Sequence, residues 1–351
     1  MVQYTRSGHG SSGRAPALGA GGSRFKSGCP DKGFYMSQQR SCIFNILHTA
    51  ADQAEESAAD GIQTVTSRIF KTPFPFSSFV LSAGFRAPAD GWLLLETQVY
   101  EKGRWSGFYK LGLLSGKMKS SFPAQEDSFG RVAADELLLS APAEAYRYRL
   151  KLFGGAEVTV LAATGVSASF IYDEKNASRL PPGSFAHAVE PISQMEQNHP
   201  DRRRICSPTS LCMALNALGF KTDLKDLLNE VFDQTAGIFG NWVFNVAAAS
   251  ARGAAAYVRR FNVLTELKDF VTENSLVVAS IGYNKGELAQ AAIEHTPGHL
   301  VLVRGWQDGK ILVADPAALT KDLVLRAYDA REFAKAWLFN KKGAAYVVRK
   351  K

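Results

Sequence analysis

The chain has only four cysteines in 351 residues: Cys29, Cys42, Cys206 and Cys212. Cys206 and Cys212 fall on one expected helix, on different faces and too far apart to bridge. Cys29 and Cys42 lie in or beside a weakly patterned N-terminal region. No disulfide framework is expected, which fits a reducing compartment. No run approaches about 20 uninterrupted apolar residues, so no membrane-spanning helix is expected. The short apolar run from Ser41 to Leu47 is interrupted by Asn45 and soon followed by acidic residues. It is not read as a signal peptide, and a cytoplasmic location is favoured over secretion. Charge of one sign is not concentrated either. The formal net charge is +8, but both signs are scattered along the whole length. Without a basic stripe and interleaved aromatics, nucleic acid is not an expected partner. C-x-x-C pairs are missing. His295 and His299 are spaced like a metal pair, but Pro297-Gly298 between them precludes a helix and the zincin glutamate is absent. No metal or organic cofactor is expected.

What is present divides the chain. Residues 1–62 are expected to be disordered or weakly structured. Their first 35 are rich in Gly, Ser and basic residues, Met36 offers an alternative start, and QAEESAADG reads as a short polar helix or linker. Residues 63–172 carry short apolar-alternating runs such as FSSFVLSAGF, GWLLLETQVY, YRYRLKLF and EVTVLAAT, separated by turn signals. That spacing predicts an all-β sandwich or jelly-roll-like domain. Trp92, Trp105, Phe108 and Tyr109 are read mainly as core, with an aromatic platform for sugar or peptide as the alternative. Residues 173–184, with Pro181-Pro182-Gly183, read as a linker. Residues 185–351 give helices first (DLKDLLNEVFD, GNWVFNVAAASARG capped by Asn241, LTELKDFV capped by Thr265). The strands LVVASIGY, HLVLVRGW, KILVADP and AAYVVRK follow, with a helix at DAREFAKAWL. This pattern predicts an α+β domain with helices packed on an antiparallel sheet.

The chemistry is expected in that second domain. Cys206 opens an amphipathic helix, with Pro208 in its first turn, Leu211, Leu215 and Leu218 as a buried stripe and Gly219 as its end. A cysteine at a helix N-terminus feels the positive end of the dipole, which favours the thiolate. His299 begins the strand Leu300 to Gly305, and Asp315 ends the next one. The turn Gln307-Asp308-Gly309 joins the two strands as a hairpin, placing His299 and Asp315 near one open end. The order Cys, His, Asp then matches nucleophile, base and orienting acid.

The segment from about Val189 to Val348 resembles the papain-like cysteine peptidases of the bacteriocin-leader-processing (double-glycine peptidase) type. Three pieces carry the resemblance: SQ followed by C-S-P-T-S-L, G-H-L-V-L-V-R-G, and A-D-P-A. It implies a cysteine peptidase acting on a peptide or protein substrate, with cleavage at small-residue sites such as Gly-Gly. By the same resemblance Gln194 is the oxyanion-hole glutamine, with Gln197 as its competitor in the sequence. Some relatives carry a β-rich region before the peptidase. The family usually has glycine directly after the cysteine; here Ser207 stands there and is expected to narrow the room beside the nucleophile.

Other residues carry two readings. Cys212 is expected in the core. Arg202, Arg203 and Arg204 read as a solvated basic loop or as a rim that favours acidic substrates. Trp242 and Asn245 read as cleft lining, with core packing as the second reading of Trp242. Two alternatives to hydrolysis stay open: a catalytically degenerate peptide- or glycan-binding protein, and an acyltransferase using the same triad.

Overall fold

The computed structural model describes residues 42–351. Two antiparallel sheets organise them. The first is an 11-stranded network. Its strands are β1 (Ile43–His48), β2 (Gln53–Ala59), β3 (Ile62–Ser67), β4 (Phe70–Arg86), β5 (Trp92–Glu101) and β6 (Arg104–Trp105). They continue with β7 (Tyr109–Ser115), β8 (Lys119–Ser120), β9 (Gly130–Ala133), β10 (Glu136–Phe153) and β11 (Glu157–Ser167). The main path runs β1-β11-β4-β10-β5-β7-β8. The long strands β4 and β10 change partners along their length, with register shifts near Ala143. β10 pairs with β9 and β4 at its start and with β5 and β3 at its end. The expected all-β N-terminal region is therefore present, built as one hydrogen-bonded network rather than two separate sheets.

Residues 43–59 differ from expectation. They are two strands, not a weakly structured segment or a polar helix. β1 pairs with β11 and buries Ile43, Phe44 and His48. β2 is almost wholly exposed and is a strand only because it pairs with β3 across the Asp60-Gly61 turn. Both turn residues have positive φ (52° and 75°), as a two-residue hairpin turn needs. The Gly/Ser-rich stretch 1–35 lies outside the described residues.

The second sheet has seven strands, with the main order β13-β18-β14-β15-β16-β17 and β12 paired to β15. These are β12 (Phe185–Ala186), β13 (Ala255–Arg260), β14 (Ser275–Tyr283), β15 (Thr296–Gln307), β16 (Lys310–Ala314), β17 (Leu325–Asp329) and β18 (Ala344–Arg349). The helices are α1 (Glu174–Ala177), α2 (Cys206–Ala217), α3 (Leu224–Val231), α4 (Trp242–Ala251), α5 (Leu267–Phe270) and α6 (Ala330–Ala334), the last continuing into one π-helical stretch, Lys335–Phe339. None among the described residues is long and apolar enough to cross a membrane. The central strand β14 is buried along its entire length, which its run of apolar residues requires. The β15–β16 turn has Asp308 and Gly309 at positive φ (50° and 75°), the geometry a tight Asp-Gly hairpin demands. Thr265 is not the cap of the helix that follows it. Glu266 reaches back to the Asn262 and Val263 N–H groups instead (2.8 and 3.3 Å).

The two sheets share one continuous apolar core. Helix α4 packs against both β4 and β13. At Gly84 of β4 an added Cβ would lie 2.6 Å from Ser250 Oγ of α4, so only glycine permits that approach. Polar groups seal the contact: Asn45 exchanges two hydrogen bonds with the Arg260 backbone (2.9 and 3.0 Å). Ser82 Oγ accepts from Val258 N–H (2.9 Å), and Arg260 pairs with Glu136 (2.6 Å).

Candidate active site

Helix α2 packs on β15 and β14. It places Cys206 at the first helical position, where backbone N–H groups have no partner within the helix. No side chain caps this end. The positive end of the dipole is therefore left to the sulfur and whatever approaches it. One turn along, Ser210 Oγ donates to the Leu300 carbonyl (3.0 Å), pinning the helix to the strand residue beside His299. His299 and Asp315 are buried, whereas Cys206 keeps part of its surface exposed.

His299 Nε2 lies 2.8 Å from Asp315 Oδ1. With Nε2 so engaged, Nδ1 is the nitrogen left for Cys206, to which the ring is also hydrogen-bonded. Burial opposes the imidazolium, but the charge and hydrogen bond of Asp315, reinforced by Cys206, lift the His299 pKa to about 10. Burial likewise opposes the thiolate. The hydrogen bond and charge of His299, and the Leu300 N–H, nevertheless hold Cys206 below its usual value. The two shifts have one cause, an ion pair shared between sulfur and ring. Asp315 is also buried, yet His299, Tyr328 and the Ala317 N–H keep it below the ordinary carboxylate range. Its Oδ1 accepts from Ala317 N–H (3.0 Å) and its Oδ2 from the Tyr328 hydroxyl (2.6 Å).

Gln194 is tied to the loop that follows Asp315. Its N–H donates to the Pro316 carbonyl (2.8 Å), and Ser193 Oγ donates to the Ala318 carbonyl (2.5 Å). The Gln194 side chain is buried, and its Oε1 has no hydrogen-bond partner among the described residues. Gln197 differs, since its Nε2 donates to the Ser193 carbonyl (2.8 Å) and is thereby occupied.

Three expectations are revised. Ser207 does not crowd Cys206: its side chain is fully buried and its hydroxyl meets the Tyr346 hydroxyl at 2.8 Å under the helix. Asn245 does not line a cleft. It is fully buried and its Nδ2 donates to the Phe239 and Asn241 carbonyls (2.9 and 2.7 Å). Trp242 sits at the contact between the sheets, its N–H donating to Asp135 and its ring under Arg260 (5.6 Å). Cys212 is in the core, with burial pushing its thiol up to about 12. His295 is exposed, apart from the committed ring of His299. In the first sheet Tyr109 is buried and Trp92 stacks on Phe153 (5.7 Å). Trp105 and Phe108 are half-buried under the Arg147 and Arg149 guanidiniums.

Tyr328, Ser210 and the Leu300 N–H escaped the sequence reading. The first lies on β17, a strand with no apolar periodicity to mark it. The other two act through contacts between elements.

Comparison with known proteins gives a family match for each part of the chain. Residues 186–345 match the family described as Peptidase_C39 like, and residues 38–169 match the peptidase C39 N-terminal domain. The C-terminal part of the chain is a C39-peptidase-like domain, and the part before it is an N-terminal domain of the kind that accompanies such peptidases. Among solved structures, the chain is similar to a double glycine motif protease from an AMS/PCAT transporter in complex with its leader peptide. That match has 19% identity and a TM-score of 0.34 and covers 49% of this chain and 97% of the other. It is also similar to a putative C39-like peptidase from Bacillus anthracis, with 18% identity and a TM-score of 0.37, covering 48% of this chain and 98% of the other. No curated protein matches the chain.

Proposed function

We propose that the protein is a cysteine peptidase that hydrolyses a peptide or amide bond through Cys206, His299 and Asp315. The supporting observation is the position of His299, bonded to Cys206 on one side and to Asp315 at 2.8 Å on the other. The Cys206 thiolate attacks the carbonyl carbon. The Cys206 backbone N–H and the uncommitted Gln194 amide hold the oxyanion that forms, a contribution typically worth about 3 kcal/mol. His299 gives its proton to the leaving amine as the C–N bond breaks, leaving a thioester on the sulfur. Water then attacks the thioester while His299 takes its proton. The thiolate departs, a carboxylic acid is released, and the thiolate–imidazolium pair is restored.

Asp315 stays ionised throughout, holding the ring with Nδ1 toward sulfur and stabilising the imidazolium. The full set of hydrogen bonds around Asp315 favours this reading over a degenerate binding protein, in which a buried carboxylate beside a histidine would have no task.

The test is turnover of an internally quenched peptide library by the full chain, with thiol alkylation at Cys206 read by mass spectrometry. Cys206→Ala abolishes turnover, and His299→Ala returns the Cys206 thiol toward about 8.5. Unchanged turnover in Cys206→Ala would sink the proposal. Product analysis with an added amine separates hydrolysis from acyl transfer.

A further inference from the structure

The loop leading into Cys206 is shaped and charged. Asn198, His199, Pro200, Arg202 and Arg203 line a surface hollow on it. The loop is held by its own turns: the Arg202 N–H donates to the His199 carbonyl (3.1 Å) and the Arg204 N–H to the Asp201 carbonyl (2.7 Å). Arg204 is used up in fixing it, bonded to the Gly237 carbonyl (2.6 Å) and paired with Asp201 (3.3 Å). His199 is fixed too, its ring edge-on to Phe239 (5.5 Å) and its Nδ1 accepting from the Asp201 N–H (3.1 Å). In the neutral ring that bond leaves the proton on Nε2, so His199 presents a donor.

Arg202 and Arg203 are exposed and form no ion pair among the described residues. The nearest acids in sequence are engaged, Asp201 by Arg204 and Glu196 by the Lys321 N–H (3.1 Å). The hollow therefore gathers two uncompensated guanidiniums, an imidazole donor and an amide, and no acid lines it.

We infer that this hollow is a subsite for the carboxylate of an Asp or Glu side chain in a peptide bound across Cys206. The inference names a substrate class for the peptidase reading and rests on it for the peptide's path. Guanidinium forks match a carboxylate in geometry as well as charge. A lone pair of solvated arginines would lack the fixed histidine donor and the tied-down loop that give this one its shape.

The test uses the full chain with Cys206→Ala, so that no probe is turned over, and calorimetric titration with acetylated, amidated hexaglutamate and hexaglutamine. The expected result is binding of hexaglutamate about tenfold tighter than hexaglutamine, weakening as salt rises from about 0.05 M to about 0.5 M. R202A/R203A should lose about fivefold or more of that preference, whereas K225A/K268A, which removes the same charge from exposed positions on α3 and α5, should keep it within about twofold. Equal losses in the two double variants, or none in R202A/R203A, would overturn the subsite. Because binding is read without turnover, a preference that survives alongside an inactive wild-type chain would defeat the peptidase reading and leave the anion site standing.

Discussion

His299 Nε2 is 2.8 Å from Asp315 Oδ1, and both groups are buried behind a half-buried Cys206. Asp315 thereby decides the protonation of a pair that water cannot easily reach. The imidazolium is lifted to about 10 and the thiol is held below its usual value, and both shifts favour the thiolate–imidazolium pair. Activity should rise with pH as the thiol ionises below its ordinary range, and fall as His299 deprotonates near pH 10. In Asp315→Asn the alkaline limb should move down, because the charge that holds the proton is gone, and kcat should drop by about 10²–10⁴-fold. A pH–rate profile of the two proteins checks both points.

Tyr328 donates to the other oxygen of Asp315 at 2.6 Å from a fully buried position. Its hydroxyl bonds Asp315, so in the proposed triad it is a positioning residue. Removing its hydroxyl withdraws a donor that favours the carboxylate, so the Asp315 pKa should rise. Tyr328→Phe should lower kcat about tenfold at neutral pH with KM little changed, and alter the acid side of the pH–rate profile, where Asp315 now takes up a proton more readily. A variant that loses stability but keeps the wild-type pH profile would assign Tyr328 a structural role only.

The parts of this site that were legible lie in elements with their own pattern. The apolar stripe of α2, the apolar runs of β14 to β16 and the Asp308-Gly309 turn are local signals, and they locate Cys206, His299 and Asp315. Tyr328 was not legible because β17 is five residues long and largely unburied, with no alternation to betray a strand. β2 misled for a related reason. QAEESAA favours a helix, and only pairing with β3 makes it a strand, although the Asp60-Gly61 pair after it was a hairpin signal. The docking of the two sheets has no sequence signal at all, since Asn45 and Arg260 meet from positions 215 residues apart.

That docking makes a stability prediction. Arg260 is buried, pairs with Glu136 of the first sheet at 2.6 Å, and donates to the Lys341 and Lys342 carbonyls (3.1 and 3.3 Å). Its removal leaves a carboxylate and two carbonyls short of a donor within the contact. Arg260→Ala should cost about 3–5 kcal/mol in denaturant unfolding. With one core running through both sheets, the wild-type chain should unfold in a single transition seen alike by far-UV dichroism and tryptophan fluorescence.

The same contact should carry a pH dependence through Asp135. This residue is buried in the β9–β10 turn and accepts from the Trp242 N–H at the start of α4, so one sheet region caps a helix of the other. Burial dominates its titration and pushes the carboxyl up to about 7, only partly offset by the N–H bonds it accepts. Between the unfolded value of 3.8 and about 7 the unfolded chain has lost this proton and the folded chain keeps it. The folded state binds more protons there, so the contribution of Asp135 to stability falls as pH rises through that window and is level above it. Asp135→Asn keeps an acceptor for Trp242 and removes the titration. Its stability relative to wild type should therefore improve steadily from pH 4 to pH 7, by on the order of 4 kcal/mol in all. Parallel urea titrations of the two proteins across that range measure the difference directly, and a constant offset between them would show that Asp135 ionises in the folded chain as freely as it does in the unfolded one.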